Sequence, residues 1–129
     1  MTNTMLEMSR YAALARQAVA EGVVLLKNEA VLPLAPGGRA ALFGYAQFHY
    51  YKSGTGSGGL VNVTHVPNLP EILGGDGGYR LDAEVQARYA AWLADHPYEM
   101  GTGWAQEPWF QPEMPLDEEF VRAAAQRTD

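Results

Sequence analysis

The sequence predicts an α/β fold in which helices flank a short, mostly parallel sheet. Two apolar runs without polar alternation, Val23-Val24-Leu25-Leu26 and Ala40-Ala41-Leu42-Phe43, have the composition of strands covered on both faces. Helical periodicity precedes the first run and returns after the second. Helix, strand, connector and strand in this order are typical of layered α/β domains.

The first half of the chain contains one predicted helix and two predicted strands. Apolar residues recur at helical spacing over residues 11–22, and Gly22 is expected to end that helix. Residues 23–26 are predicted as a short buried strand, because polar residues follow them immediately. Residues 32–38 are rich in Pro and Gly and form a turn-rich connector. A second buried strand is predicted over residues 39–44.

The second half is predicted to contain three helices and one short strand. Residues 68–73 form a short helix, and residues 79–81 a brief strand. Asp82 is expected to cap the clearest helix of the chain, which His96 and Pro97 end. An irregular, Trp-rich segment covers residues 100–115, and Asp117 is expected to cap the last helix.

Composition excludes several functions. The 129 residues correspond to one domain, and the net charge of −6 argues against nucleic acid, whose phosphates require clustered Lys and Arg. Without cysteine the chain has no disulfide, thiolate nucleophile or thiolate metal site. Neither a signal peptide nor an apolar run long enough to span a bilayer is seen, so a cytoplasmic location without membrane contact is expected.

The glycine-rich loop at residues 52–59 has four interpretations. Gly54, Gly56 and Gly59 satisfy the spacing G-x-G-x-x-G, but a dinucleotide site needs a strand directly before the loop and a helix directly after it. A Walker-type phosphate loop is disfavoured because Lys52 precedes the glycines. A mobile surface hairpin and a substrate-approach loop remain, the latter because small residues let a ligand come close to the backbone.

The carboxylates and histidines form no recognisable catalytic set. The acidic run at residues 117–119 is interpreted as a helix N-terminal charge cluster. Glu107 and Glu113 lie in the Trp-rich segment, where a sugar site and a packed surface loop are both conceivable, with the packed loop favoured. The histidines show no metal-ligand spacing and are interpreted as structural; they are His49, His65 and His96.

Several segments resemble the sandwich domain of family 3 glycoside hydrolases. The resemblance begins with residues 15–29, Ala-Arg-Gln-Ala-Val-Ala-Glu-Gly-Val-Val-Leu-Leu-Lys-Asn-Glu, followed by Leu32-Pro33-Leu34. It continues through residues 40–44, the glycine-rich loop with Val61-Asn62-Val63, and residues 103–109 with Met114-Pro115-Leu116. The last of these segments is similar to β-glucosidase-like members, and the resemblance covers nearly the whole chain.

This resemblance implies a partial three-layer α/β sandwich over residues 1–129, in the subgroup whose sandwich domain precedes the (β/α)8 barrel. In the family the barrel supplies an Asp nucleophile and the sandwich domain a Glu acid/base, which cleave a β-linked glucoside or oligosaccharide with retention. That Glu is expected past Asp129, so no catalytic residue is assigned. No cofactor or metal is implied. The candidate substrate-binding residues are those of the loop: Lys52, Ser53, Gly54, Thr55, Gly56 and Ser57.

Three hypotheses follow for the role of the chain. It is a piece of a glycoside hydrolase that is inactive alone, or an independent carbohydrate-binding or interaction module, or one chain of a split enzyme that assembles with a barrel-bearing partner. The first is favoured, because the scattered carboxylates present do not replace the two expected ones. A short sheet with an open edge also predicts self-association.

Overall fold

The computed structural model describes residues 7–50, 63–99 and 111–129. The chain divides into two compact units, Met1–Leu34 and Ala35–Asp129. In the first unit, helix α1 spans Met8–Gly22, which confirms the helix that the periodicity predicts. After it, the Asn28 side chain organises a turn: its Oδ1 accepts hydrogen bonds from the backbone N–H groups of Val31 and Leu32, each at 3.1 Å.

The predicted strand at residues 23–26 is wrong. Val23 has an extended backbone, with φ −76° and ψ 125°, but residues 23–26 are assigned to no strand. Their side chains are exposed rather than buried, from 57% for Leu25 to 92% for Leu26. A strand requires a hydrogen-bonding partner, and an apolar run shows a preference for burial without showing which segment would supply that partner.

The second unit contains a two-stranded parallel sheet. Strand β1 (Arg39–Ala40) pairs with β2 (Arg80–Leu81), Arg39 opposite Arg80 and Ala40 opposite Leu81. The strand predicted over residues 79–81 is thereby confirmed. The strand predicted over residues 39–44 is shorter than expected, because its partner β2 ends at Leu81, directly before the helix that Asp82 caps. Further along, Gly44 adopts a φ of 102° and the chain turns into a 3-10 helix at Tyr45–Gln47.

The described residues of the second unit include three α-helices, and each has a side-chain cap at its N-terminus. Helix α2 (Leu69–Gly74) is capped by Asn68, α3 (Ala83–Asp95) by Asp82, and α4 (Glu118–Arg127) by Asp117. In each case the capping oxygen accepts a hydrogen bond from a backbone N–H in the first turn, as expected for these residue types. Both predicted aspartate caps are confirmed.

The core of the second unit lies between α3, α4 and the segment that precedes α4. Its buried apolar side chains are Val85, Tyr89, Met114, Phe120 and Ala124, with Ala41, Phe48 and Trp92 packed against them. Ala41 follows β1 directly, so the chain that leaves the sheet contributes to this core. The predicted α/β class, with a short parallel sheet and flanking helices, is confirmed.

Candidate functional site

The predicted substrate loop lies outside the described residues. Residues 51–62 contain all six candidate positions, so the assignment of Lys52, Ser53, Gly54, Thr55, Gly56 and Ser57 stays a prediction. The structure does describe residues 44–50, the segment that leads from β1 to this loop and that we call the exit turn. In parallel α/β sheets, ligands bind beyond the carboxyl ends of the strands, which is where the exit turn lies.

Two side chains from other elements hold the start of the exit turn. The backbone N–H of Gly44 donates a hydrogen bond to the Tyr89 hydroxyl oxygen at 2.6 Å. The next N–H, that of Tyr45, donates to both carboxylate oxygens of Glu113, at 3.0 and 2.8 Å. Helix α3 and the segment before α4 therefore both fix the direction in which the chain leaves β1.

A buried glutamine holds the middle of the exit turn. Gln47 is 2% exposed, and its Nε2 donates to the carbonyl of Leu42 at 2.8 Å. Its Oε1 accepts a hydrogen bond from Gln86 Nε2 of α3 at 3.3 Å. Both ends of the amide are thus satisfied, as a buried polar side chain requires. The sequence alone did not single out Gln47.

Three aromatic rings stack at the end of the exit turn. The ring of His49 lies 5.3 Å from that of Tyr45 and 4.9 Å from that of Tyr98, with interplanar angles of 21° and 25°. Burial lowers the pKa of His49 below the ordinary imidazole value, so the neutral ring dominates at neutral pH. The predicted structural role of His49 is confirmed, and the stack fixes the chain directly before the glycine-rich loop.

The Glu113 carboxylate anchors the exit turn. Because both of its oxygens accept the Tyr45 N–H, Glu113 has a structural contact of the kind that the favoured interpretation, a packed loop, predicts. Glu107 lies outside the described residues. Gly44, which ends the apolar run of residues 40–43, is the sequence signal that marks the turn. No local signal identifies Glu113 as its partner.

Removing the Glu113 carboxylate should loosen the exit turn. We expect Glu113→Ala to speed the hydrogen–deuterium exchange of the Tyr45 amide at least tenfold, because its acceptor is lost. Glu113→Gln keeps one acceptor oxygen and should have a smaller effect. Exchange measured by NMR checks this, with Glu118→Ala on the exposed face of α4 as the control. An unchanged Tyr45 amide in Glu113→Ala would refute the anchoring role.

The two other histidines contact neighbouring side chains, and no metal site is seen in the described residues. His65 Nε2 contacts the Glu71 carboxylate at 2.9 Å, while His96 stacks on Trp92 with ring centroids 3.5 Å apart. No group of three or more His, Asp or Glu among residues 7–50, 63–99 and 111–129 is placed to hold a metal ion. A shallow concavity on α4 is lined by that helix alone and lies apart from the exit turn.

No helix in the described ranges has both the length and the hydrophobicity that a membrane crossing requires.

The chain is similar to bacterial β-glucosidases over nearly its whole length. It is 45% identical over 124 residues to the β-glucosidase of Ruminococcus albus, which covers 96% of this chain and 13% of that enzyme. It is 36% identical over 125 residues to β-glucosidase A of Butyrivibrio fibrisolvens, covering 93% of this chain and 14% of that enzyme. The chain thus spans about one seventh of these relatives. No family model matches it.

Solved structures agree with this similarity. A β-glucosidase from Paenibacillus barengoltzii superposes with a TM-score of 0.78 at 43% identity, covering 92% of this chain and 13% of that one. β-Glucosidase 3B from Thermotoga neapolitana, in complex with α-D-glucose, superposes with a TM-score of 0.79 at 30% identity, covering 97% of this chain and 17% of that one. Sequence and fold therefore indicate the same relatives.

Proposed function

We propose a function from the premise that this chain is a homologue of one segment of bacterial β-glucosidases. It supplies the leading part of the α/β-sandwich domain of a family 3 glycoside hydrolase that cleaves β-linked glucosides. The observation that carries this proposal is the 45% identity over 96% of the chain. The glucose complex of the Thermotoga enzyme supports a sugar ligand for the complete protein.

Within that enzyme, the role we propose for the chain is to present the glycine-rich loop to the sugar. The exit turn supports this role, because hydrogen bonds from Gly44 and Tyr45 and the aromatic stack fix the chain up to the loop. Lys52, Ser53, Thr55 and Ser57 then offer an ammonium and hydroxyl groups that hydrogen-bond sugar oxygens. Such a loop, anchored on a rigid sheet edge, is how binding residues are commonly positioned.

The chemistry itself is proposed to come from elsewhere in the enzyme. A retaining glycosidase needs a carboxylate nucleophile and a carboxylic acid about 5–5.5 Å apart. Four carboxylates of the second unit are already engaged by protein groups: Asp82 by Arg127, Glu113 by Tyr45, Asp117 by Arg88 and Asp129 by Arg39. We therefore propose that a (β/α)8 barrel, in the same protein or in a partner, completes the site. A cytoplasmic location is retained as part of the proposal.

Hydrolysis of a chromogenic β-glucoside tests this proposal. The purified chain should show no turnover above buffer, because it lacks the two paired carboxylates. Turnover that survives re-purification would overturn the proposal that a barrel supplies the catalytic carboxylates.

The role of the loop is tested in a full-length relative. Substituting Ala at the positions that match Lys52 and Thr55 should lower kcat/KM by at least tenfold, since each removes a hydrogen-bonding group from the proposed sugar contact. The matched control is Ala at the position of Lys27, an exposed lysine paired with Glu29. If kcat/KM is unchanged in the two loop variants, these side chains do not bind sugar.

A further inference from the structure

A side-chain hydrogen bond joins the two ends of the Trp-rich part of the second unit. Gln111 Nε2 donates to the backbone carbonyl of Glu99 at 3.0 Å. Glu99 follows α3 by four residues, and Gln111 lies in the segment before α4. The chain therefore enters residues 100–110 and leaves them at one place in the second unit.

The residues at this place also contact the exit turn, from both sides of the hydrogen bond. Tyr98 stacks on His49 with ring centroids 4.9 Å apart, and on Tyr45 with ring centroids 6.4 Å apart. On the other side, both oxygens of Glu113 accept the backbone N–H of Tyr45. We call this set of residues the junction: Tyr45, His49, Tyr98, Gln111 and Glu113.

The ring contacts make Tyr98 a direct neighbour of the chain that enters the glycine-rich loop. Its interplanar angles to His49 and Tyr45 are 25° and 19°, and the centroid distances are those of offset-stacked pairs. Tyr45 is 4% exposed, whereas His49 is exposed, so the stack extends from the interior to the surface. Only Tyr50 separates His49 from residues 51–62. A change at Tyr98 therefore alters the packing of the residues that precede the loop.

We propose that Tyr98 and Gln111 are positioning residues for the glycine-rich loop and that they set the affinity for the sugar from outside it. The inference rests on the proposed function, in which the loop binds sugar. It adds that the start of the loop and the two ends of residues 100–110 share one set of contacts. Substitutions beside the Trp-rich segment should therefore change sugar binding without removing a group that touches the sugar.

The kinetic effect of such a role differs from that of a folding defect. The loop is proposed to bind the sugar and not to take part in the chemistry, so a displaced loop should raise KM and leave kcat unchanged. A variant that only unfolds more easily lowers the amount of active enzyme, so its apparent kcat falls while KM stays the same. The split between KM and kcat therefore separates positioning from a merely structural role.

A first measurement uses this chain and requires no activity. In NMR spectra, Tyr98→Ala should shift the backbone amide resonances of residues 50–57, whereas Tyr98→Phe, which keeps the ring, should shift them less. The matched control is His96→Ala, which removes an imidazole stacked on Trp92 outside the junction, with ring centroids 3.5 Å apart. The inference is overturned if these resonances move no more in Tyr98→Ala than in His96→Ala.

A second measurement uses a full-length relative that has tyrosine and glutamine at the positions of Tyr98 and Gln111. Alanine at the tyrosine position should raise KM for a chromogenic β-glucoside about two- to tenfold, the range that one aromatic pair contributes, with kcat within about twofold. Phenylalanine there should restore KM, and alanine at the glutamine position should raise it less. A kcat that falls while KM is unchanged would contradict a positioning role.

The loop variants at the positions of Lys52 and Thr55 are measured in the same series, because they separate the two proposals. If these variants lower kcat/KM and the alanine variant at Tyr98 does not, the positioning inference fails and the proposed sugar contact stands. If the loop variants leave kcat/KM unchanged while the amide resonances of this chain move as expected, the junction positions a loop that does not bind sugar. The proposed function of the loop then fails.

Discussion

Replacing Tyr89 by alanine should lower the free energy of unfolding by about 3–5 kcal/mol, the range for truncation of a large buried aromatic side chain. Tyr89 is fully buried and packs on Phe48, with ring centroids 5.6 Å apart. Its hydroxyl also accepts the Gly44 N–H. Since small domains are stable by about 5–15 kcal/mol, this loss removes a large part of the total. Urea unfolding followed by circular dichroism measures it.

Two further variants separate the causes of this loss. Tyr89→Phe keeps the ring but leaves the Gly44 N–H without its acceptor, so it should cost about 1–3 kcal/mol. Tyr11→Ala removes a tyrosine that is 56% exposed on α1 and should change stability by at most about 0.5 kcal/mol. If Tyr89→Phe is as stable as the unsubstituted chain, the hydroxyl does not hold the exit turn.

The features that the sequence predicts correctly depend on contacts between near neighbours. Asp82 caps α3 and Asp117 caps α4, each by accepting an N–H three residues further along the chain. These capping hydrogen bonds lie within one helical turn, so residue type and position suffice to predict them. The class of the fold follows from the same kind of information, because the periodicities that distinguish helix from strand are local.

The features that the sequence does not predict depend on distant contacts. Glu113 anchors Tyr45 across a separation of 68 residues, and nothing near either position marks the pair. Residues 23–26 have the composition of a strand, but whether they form one depends on a partner that the local pattern does not specify. The length of β1 likewise depends on its partner β2, which ends at Leu81, about 40 residues away in the chain.

The candidate site shows the same difference between local and distant contacts. The sequence identifies the glycine-rich loop by composition, whereas the exit turn is assembled from β1, α3 and the segment before α4. His49 shows the difference: its spacing excludes a metal site, but only the fold brings its ring into contact with those of Tyr45 and Tyr98. The candidate loop residues are predicted from composition alone, whereas the residues that hold the exit turn are seen only in the fold.

Replacing Asp82 by alanine is the second substitution with a large expected effect. The Asp82 side chain is 4% exposed and accepts hydrogen bonds from Arg127 Nε at 2.6 Å and Nη2 at 3.0 Å. It also caps α3 through the Val85 N–H at 2.9 Å. Loss of the cap and of the charged hydrogen bonds should lower the free energy of unfolding by about 2–4 kcal/mol. The control, Glu118→Ala in an exposed pair with Arg122, should cost at most about 0.5 kcal/mol.

The charge of Asp82 should also make the stability of the chain depend on pH. Hydrogen bonding from Arg127, reinforced by the Val85 N–H, lowers the pKa of Asp82 below its ordinary value near about 4. The stability that this lowered pKa contributes is therefore fully present above about pH 4 and is lost as pH falls through the folded-state pKa. Asp117 and Asp129, whose pKa values are also lowered, act in the same direction.

The substitution Asp82→Asn isolates this contribution, because asparagine still caps a helix but carries no charge. Its Tm should be lower than that of the unsubstituted chain at neutral pH, and the difference should shrink as pH falls below about 4 and through the lowered folded-state pKa of Asp82. Thermal unfolding measured across this range checks the prediction. A Tm difference that stays constant with pH would mean that the Arg127 pair contributes through its geometry alone, without the charge of Asp82.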